Sequence, residues 1–149
     1  MKASETTGRE IMKVMKTAVK AHSEQNLDLL LACFDSGEDV TIIGTSDGER
    51  WRGLTRIRKA LSPMVQLPGS RAQAYRMKIS KVDVSAEGRV AWLAADCEHS
   101  ITVNRATKTS KARLTVVFRK TRDGWRICQW HKSKAVKDKD TYRAKQTRS

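Results

Sequence analysis

Cysteine is scarce and scattered in this sequence. Cys33, Cys97 and Cys128 lie far apart and form no C-x-x-C pair, which argues against a zinc site or a disulfide framework. Cys97 and Cys128 fall in strand-like runs, where a small buried thiol is the ordinary expectation. No glycine-rich phosphate loop, metal-ligand cluster or nucleophile elbow is present, so neither a metal nor a cofactor is expected. Long apolar runs are missing too: nothing approaches the roughly 20 residues that span a bilayer. The first ten residues, "MKASETTGRE", lack the apolar core of a secretory signal. These absences point to a soluble, cytoplasmic protein with no membrane partner.

Acidic residues are also in short supply. Sixteen Asp and Glu face thirty Lys and Arg across 149 residues, a net charge of +14. From Lys132 to Ser149, seven basic and two acidic residues leave +5, so the remainder still carries +9 of the +14. Such a surface attracts nucleic acid, anionic lipid or acidic small molecules alike. With no stacking motif to read bases, any nucleic-acid binding is expected to be unspecific and salt-dependent. The length suits one domain with its own core.

The chain divides into helices first and strands after. Thr7 and Glu10 have capping-box spacing, and Ile11, Met15, Ala18, Val19 and His22 share one stripe, which predicts a helix from Thr7 to about His22. A shorter helix follows at "NLDLLLACF", with Asn26 as N-cap. "VTIIGT" reads as a first strand, "SDGERWRG" as a loop or short strand holding Trp51, and Leu54, Ile57, Leu61 and Val65 as the stripe of a third helix closed by "QLPGS". Beyond it, "YRMKISKVDVS" alternates at Tyr75, Met77 and Ile79, then resumes in the other phase at Val82 and Val84. That slip predicts a bulge. "RVAWLAADCEHSITV", "SKARLTVVFRK" and "WRICQWHKS", joined by tight turns, read as an antiparallel meander. The domain is expected over residues 1–133, and the basic stretch 134–149, with little to bury, as a flexible tail.

The stretches "LLACFDSGEDVTIIGTSDGERWRG", "VAWLAAD", "ARLTVVFRK" and "DGWRICQWHKS" resemble, in order and spacing, the SnoaL-like branch of the NTF2-like superfamily. Ketosteroid isomerases, polyketide cyclases and the association domain of calcium/calmodulin-dependent kinase share that fold. The resemblance covers about Glu10 to Ser133. It implies an α+β cone, with helices packed in the concave face of a curved antiparallel sheet and a cavity between them. It also implies a small-molecule ligand and a homodimer, with isomerase- or cyclase-like proton transfer as an open possibility. The isomerase branch's catalytic tyrosine–aspartate pair does not map onto Tyr75 or Tyr142.

Pairing the last two strands through "TRDG" sets Arg113 beside Ser133, Thr115 beside His131 and Val117 beside Gln129. One face then carries Arg113, Thr115, Val117, Ile127, Gln129, His131 and Ser133, and the other Leu114, Val116, Phe118, Cys128 and Trp130. The polar face is expected to line the cavity. The apolar face is expected to form a homodimer interface, the alternative being that it is the core under the helices. On that assignment His131 is a candidate proton carrier and Asp96 a candidate general base, if Trp92 and Trp51 keep its surroundings apolar. Arg113 is a candidate anion anchor, with Thr115, Gln129 and Ser133 as polar neighbours and Trp51 at the pocket mouth. Plainer readings stand beside these: a structural hydrogen bond for His131, an ion pair with Asp96 or Glu98 for Arg113, core packing for the tryptophans. His22 and His99 read as structural.

Overall fold

A computed structural model describes residues 1–65, 71–85 and 87–134, with backbone only for residues 64, 65, 71–75 and 80. The segment "QLPGS" and all of the proposed tail but Lys134 lie outside the described residues. The order is α1 (Glu5–Ser23), α2 (Leu27–Ala32), β1 (Thr41–Ile43), β2 (Arg50–Arg52), α3 (Leu54–Val65), then β3 (Arg71–Val84), β4 (Val90–Val103), β5 (Ala106–Thr121) and β6 (Gly124–Lys134).

Helix α1 starts one turn earlier than the Thr7 capping box predicts. Ser4 is the N-cap, and its hydroxyl accepts from the Thr7 backbone N–H at 3.2 Å. Thr7 thus lies inside the first turn. The predicted stripe does face the core, with Ile11, Met15 and Ala18 buried. Asn26 caps α2 as expected, its side chain accepting from Leu29 N–H at 3.0 Å. Between β2 and α3 the chain turns at Gly53, whose φ of +83° suits a residue without Cβ.

The six described strands form one sheet in the order β2-β1-β6-β5-β4-β3. The meander β3–β6 is antiparallel, but β1 joins β6 in parallel, Ile42 opposite Trp130. The sheet is therefore mixed, not purely antiparallel. The β4–β5 turn is a two-residue loop, Asn104 and Arg105, with φ of +49° and +66°; that left-handed pair matches the twist of the flanking strands. A register shift between Ile79 and Lys81 realises the bulge read from the phase slip. A second shift, with no mark in the sequence pattern, leaves Cys128 on β6 unpaired between Phe118↔Ile127 and Val117↔Gln129. Each bulge bends its strand, and the sheet curves around the helices.

Core side chains come from both layers: Ile11 and Met15 from α1, Leu30 and Leu31 from α2, Ile57 from α3, and Leu93, Leu114, Val116, Phe118 and Ile127 from the sheet. Two polar clasps hold the layers in register. The indole N–H of Trp125 donates to Glu10 Oε2 at 3.0 Å, tying β6 to α1. Arg119 on β5 donates to Asp35 Oδ2 at 2.9 Å and also to Asp39, fixing the loop that delivers β1 to the sheet.

Candidate functional site

The concave side of the sheet is not completely filled. A cavity of about 290 Å³ lies between sheet and helices, close to the lower end of the roughly 300–1,000 Å³ usual for small-molecule sites. Its apolar wall is built by Leu30, Phe34, Ile42, Met77, Leu114 and Trp130. Phe34 and Trp130 meet with ring centroids 6.4 Å apart. Trp51 contributes from β2, where it pairs with Ile42.

Polar residues also face this space, Thr45 from the β1–β2 hairpin among them, and the titratable ones come from four separate elements. His22 ends the buried stripe of α1. Cys97 and His99 are two apart on β4, hence on one face. Lys132 comes from β6, and Glu49 from the β1–β2 hairpin. The hairpin is tight: Gly44 N–H donates to Glu49 O at 2.8 Å, and the Glu49 carboxylate accepts from Ser46 N–H at 2.9 Å. The Glu49 side chain lies so close over Gly44 that a Cβ there would overlap it.

The cluster is electrostatically coupled. Burial first, then the charge of Lys132, then His99, depress the His22 imidazole to a pKa of about 4, so it is neutral at physiological pH. Burial also lowers the Lys132 ammonium below the usual lysine range; Cys97 and Glu49 oppose that shift and Lys134 adds to it. Burial raises the Cys97 thiol, with Lys132 opposing. A neutral imidazole and a partly desolvated amine therefore converge in a mostly apolar pocket. Such a group can take up a proton, donate one, or hold an oxyanion.

The model for the SnoaL-like domain matches residues 11–137. The chain belongs to the SnoaL-like domain family. Solved structures agree on the fold of this SnoaL-like chain. A candidate dehydratase of the NTF2-like family from Streptomyces avermitilis aligns with TM-score 0.73 at 15% identity, over 89% of this chain and 99% of that one. An NTF2-like superfamily protein from Salmonella enterica gives 0.73 at 19%, over 94% and 99%. A ketosteroid isomerase-like protein from Erwinia carotovora gives 0.69 at 12%, over 90% and 100%. No curated protein matches the chain at a significant level.

Within this SnoaL-like fold the two faces of the last strands are the reverse of those expected from sequence. The register itself agrees: Arg113↔Ser133, Thr115↔His131 and Val117↔Gln129. Yet Leu114, Val116 and Phe118, assigned to a homodimer interface, are 2% or less exposed within the single chain and belong to the core under the helices. Trp130, from the same set, lines the cavity. Cys128 occupies the bulge and its thiol points to Val117 O at 3.4 Å. The physical reason is plain: a row of large apolar side chains is covered by the helices of its own chain before any partner is needed.

The predicted polar cavity set consequently lies on the outer face. Asp96, Arg113, Thr115 and Gln129 are exposed, His131 and Ser133 are half-buried, and Trp92 is 41% exposed. None of these lines the cavity. Asp96 stands directly opposite Arg113 on neighbouring strands, and Arg113 donates to Lys134 O at 3.3 Å. Ile127, placed on the polar face by strict alternation, is fully buried because the Cys128 bulge shifts the phase. Of the predicted ligand residues, Trp51 does line the cavity. His22, His99, Lys132, Glu49 and Cys97 were the residues sequence reasoning missed. The available signal was that His22 shares the buried stripe of Ile11, Met15 and Ala18.

Proposed function

We propose that this SnoaL-like protein binds a small, largely apolar molecule carrying a carbonyl or carboxylate oxygen, and that His22 and Lys132 manage proton transfer on it. The observation that carries this reading is the convergence of His22, His99 and Lys132 in one apolar cavity. Neutral His22 is the proton acceptor, and Lys132 stabilises negative charge developing on the ligand oxygen. The isomerase-like and dehydratase-like labels of the structural relatives are in keeping with such chemistry. The cavity volume limits the ligand to about the size of one or two rings. The test is a thermal-shift screen of benzoate, phenylacetate and cyclic ketones at two salt concentrations. Hits should raise the melting temperature of wild type and not of Lys132→Met. Equal shifts in both proteins would overturn the assignment.

We further propose that two chains pair through the outer sheet face, where exposed Trp92 lies beside the ladder of Thr115, Val117, Gln129 and His131. An indole of this exposure, opposite Val117 and beside uncharged Thr115 and Gln129, suits the centre of a two-fold contact. Trp92→Lys should convert a dimer to a folded monomer in size-exclusion chromatography with light scattering; a wild-type monomer would refute the pairing. The free thiols Cys33, Cys97 and Cys128 support a reducing, cytoplasmic setting. Among the described residues no helix is long and apolar enough to cross a membrane.

A second reading rests on charge. Lys2, Arg9, Lys13, Lys16 and Lys81 border a groove between α1 and β3, and Lys13 and Lys16 are exposed. This groove would hold a polyanion such as nucleic acid unspecifically. Binding of a fluorescent oligonucleotide should then collapse as salt rises and weaken in Lys13→Glu/Lys16→Glu. Salt-independent binding would refute it.

A further inference from the structure

Lys132 occupies an unusual position for a lysine. It stands directly opposite Leu114 on β5, and both side chains enter the cavity. The other described lysines of the strands, such as Lys78, Lys81, Lys111 and Lys120, are exposed. Around Lys132 the walls supply a set of proton carriers: His22 from α1, Cys97 and His99 from β4, and Glu49 from the hairpin. Apart from Gly44 and Thr45, the rest of the pocket is apolar or aromatic.

From this arrangement we propose that Lys132 is a nucleophilic amine that condenses with a small aldehyde or ketone in the cavity to form a protonated imine. The Nζ lone pair attacks the carbonyl carbon, and the C=O π electrons move to oxygen, which takes a proton. The nitrogen then loses a proton. The carbinolamine hydroxyl is protonated and leaves as water while the nitrogen lone pair forms C=N⁺. Neutral His22, which lines the same cavity, accepts the proton that nitrogen sheds and in its protonated form returns one to the departing hydroxyl. The resulting iminium acts as an electron sink for the adjacent carbon, so loss of a proton from that carbon to an imidazole becomes easy.

Two features of the surroundings favour the uncharged amine over the ammonium. The lysine is half-buried in a pocket with an apolar wall, and Lys134 lies two residues away on the same strand. Cys97 and Glu49 act in the opposite sense, and a ligand that displaces water strengthens the desolvation. Exposed lysines such as Lys13 and Lys16 have no comparable environment. The proposal rests on the cavity reading given above and changes one part of it: toward an aldehyde or ketone Lys132 acts as a covalent nucleophile, its charge-stabilising role being kept for carboxylate ligands.

The test is reductive trapping at neutral pH. The folded chain is incubated with benzaldehyde and sodium cyanoborohydride, whose hydride converts an imine to a stable secondary amine, and labelled lysines are mapped by peptide mass spectrometry. The expected result is label on Lys132 several-fold ahead of Lys13 and Lys16. That lead should shrink as pH rises toward the ordinary lysine pKa of about 10.4. Lys132→Arg should lose the fast phase while the slow surface labelling persists. Label spread over surface lysines, with Lys132 lagging, would overturn the proposal. If benzaldehyde raises the melting temperature without labelling Lys132, the covalent step is wrong and the cavity reading survives. If it neither binds nor labels, and the acids and ketones of the screen fail as well, both fall.

Discussion

Lys132 and Leu114 face each other across the β5–β6 ladder, and both point to the concave side of the sheet. Their neighbours Arg113 and Ser133, one residue away, form the adjacent cross-strand pair and point to the opposite side. A single step in phase therefore separates the cavity from the outer surface. Substitutions on either side of that step should behave differently. Lys132→Met should lose the thermal shift given by a carboxylate probe, whereas Arg113→Ala and His131→Ala should keep it. Loss of the shift in Arg113→Ala alone would place the ligand on the wrong face for this account.

The buried apolar row gives a stability prediction. Phe118 is fully buried in the single chain, so Phe118→Ala should destabilise the fold by about 3–5 kcal/mol, and Val116→Ala less. Chemical denaturation reads this directly. An interface role would instead give a folded monomer of nearly unchanged stability, and that result would reinstate the expectation drawn from sequence.

Acid should destabilise the protein through His22. Its folded-state pKa is depressed from 6.5 to about 4, so the unfolded chain binds the proton more tightly. Stability is therefore full above about pH 6.5 and falls as pH drops toward about 4, by up to about 3 kcal/mol from this group alone. A His22→Gln variant should show a flatter profile over that window. An unchanged acid limb in the variant would mean that His22 is not held neutral.

The Arg119 clasp adds a limb at lower pH. Arg119, through its hydrogen bond, holds the Asp39 carboxyl below the usual aspartate range. A depressed acid stabilises above its unfolded pKa, and that stabilisation disappears as pH falls through the folded value. Asp39→Asn should remove this contribution near neutral pH and leave the strongly acidic end little changed. Denaturation midpoints at both pH values test it.

Gly44 governs one wall of the site. A Cβ at this position would overlap the Glu49 carboxylate and its Cβ, so the hairpin must shift in Gly44→Ala. The expected outcome is weaker ligand binding with a fold that still melts cooperatively. Unaltered binding would show that Glu49 has no part in shaping the pocket.

Much of the fold was legible because it is written in short-range patterns. The stripe of Ile11, Met15 and Ala18 marks a helix whichever side it packs on, and the phase slip after Ile79 announces a bulge. The register of the last hairpin was readable from its turn. What alternation could not reveal was which face the helices cover, because period two labels two faces without naming either. The polar row Arg113, Thr115, Gln129 and His131 looked functional because it is polar. The actual cavity is mostly apolar, with its few polar groups drawn singly from α1, β4, β6 and the hairpin. No local window contains His22, His99 and Lys132 together; only the closed fold does. The bulge at Cys128 was likewise silent, since an inserted residue in an apolar-rich strand leaves no mark in composition.

Ligand entry into the cavity between sheet and helices is most directly tested through the methionine methyl groups. Met77 lines that cavity, while Met12 borders the separate basic groove. With ¹³C-methyl methionine incorporated, titration with benzoate or cyclohexanone should shift the Met77 resonance in a saturable way and leave Met12 unmoved. A shift at Met12 with Met77 silent would contradict the account.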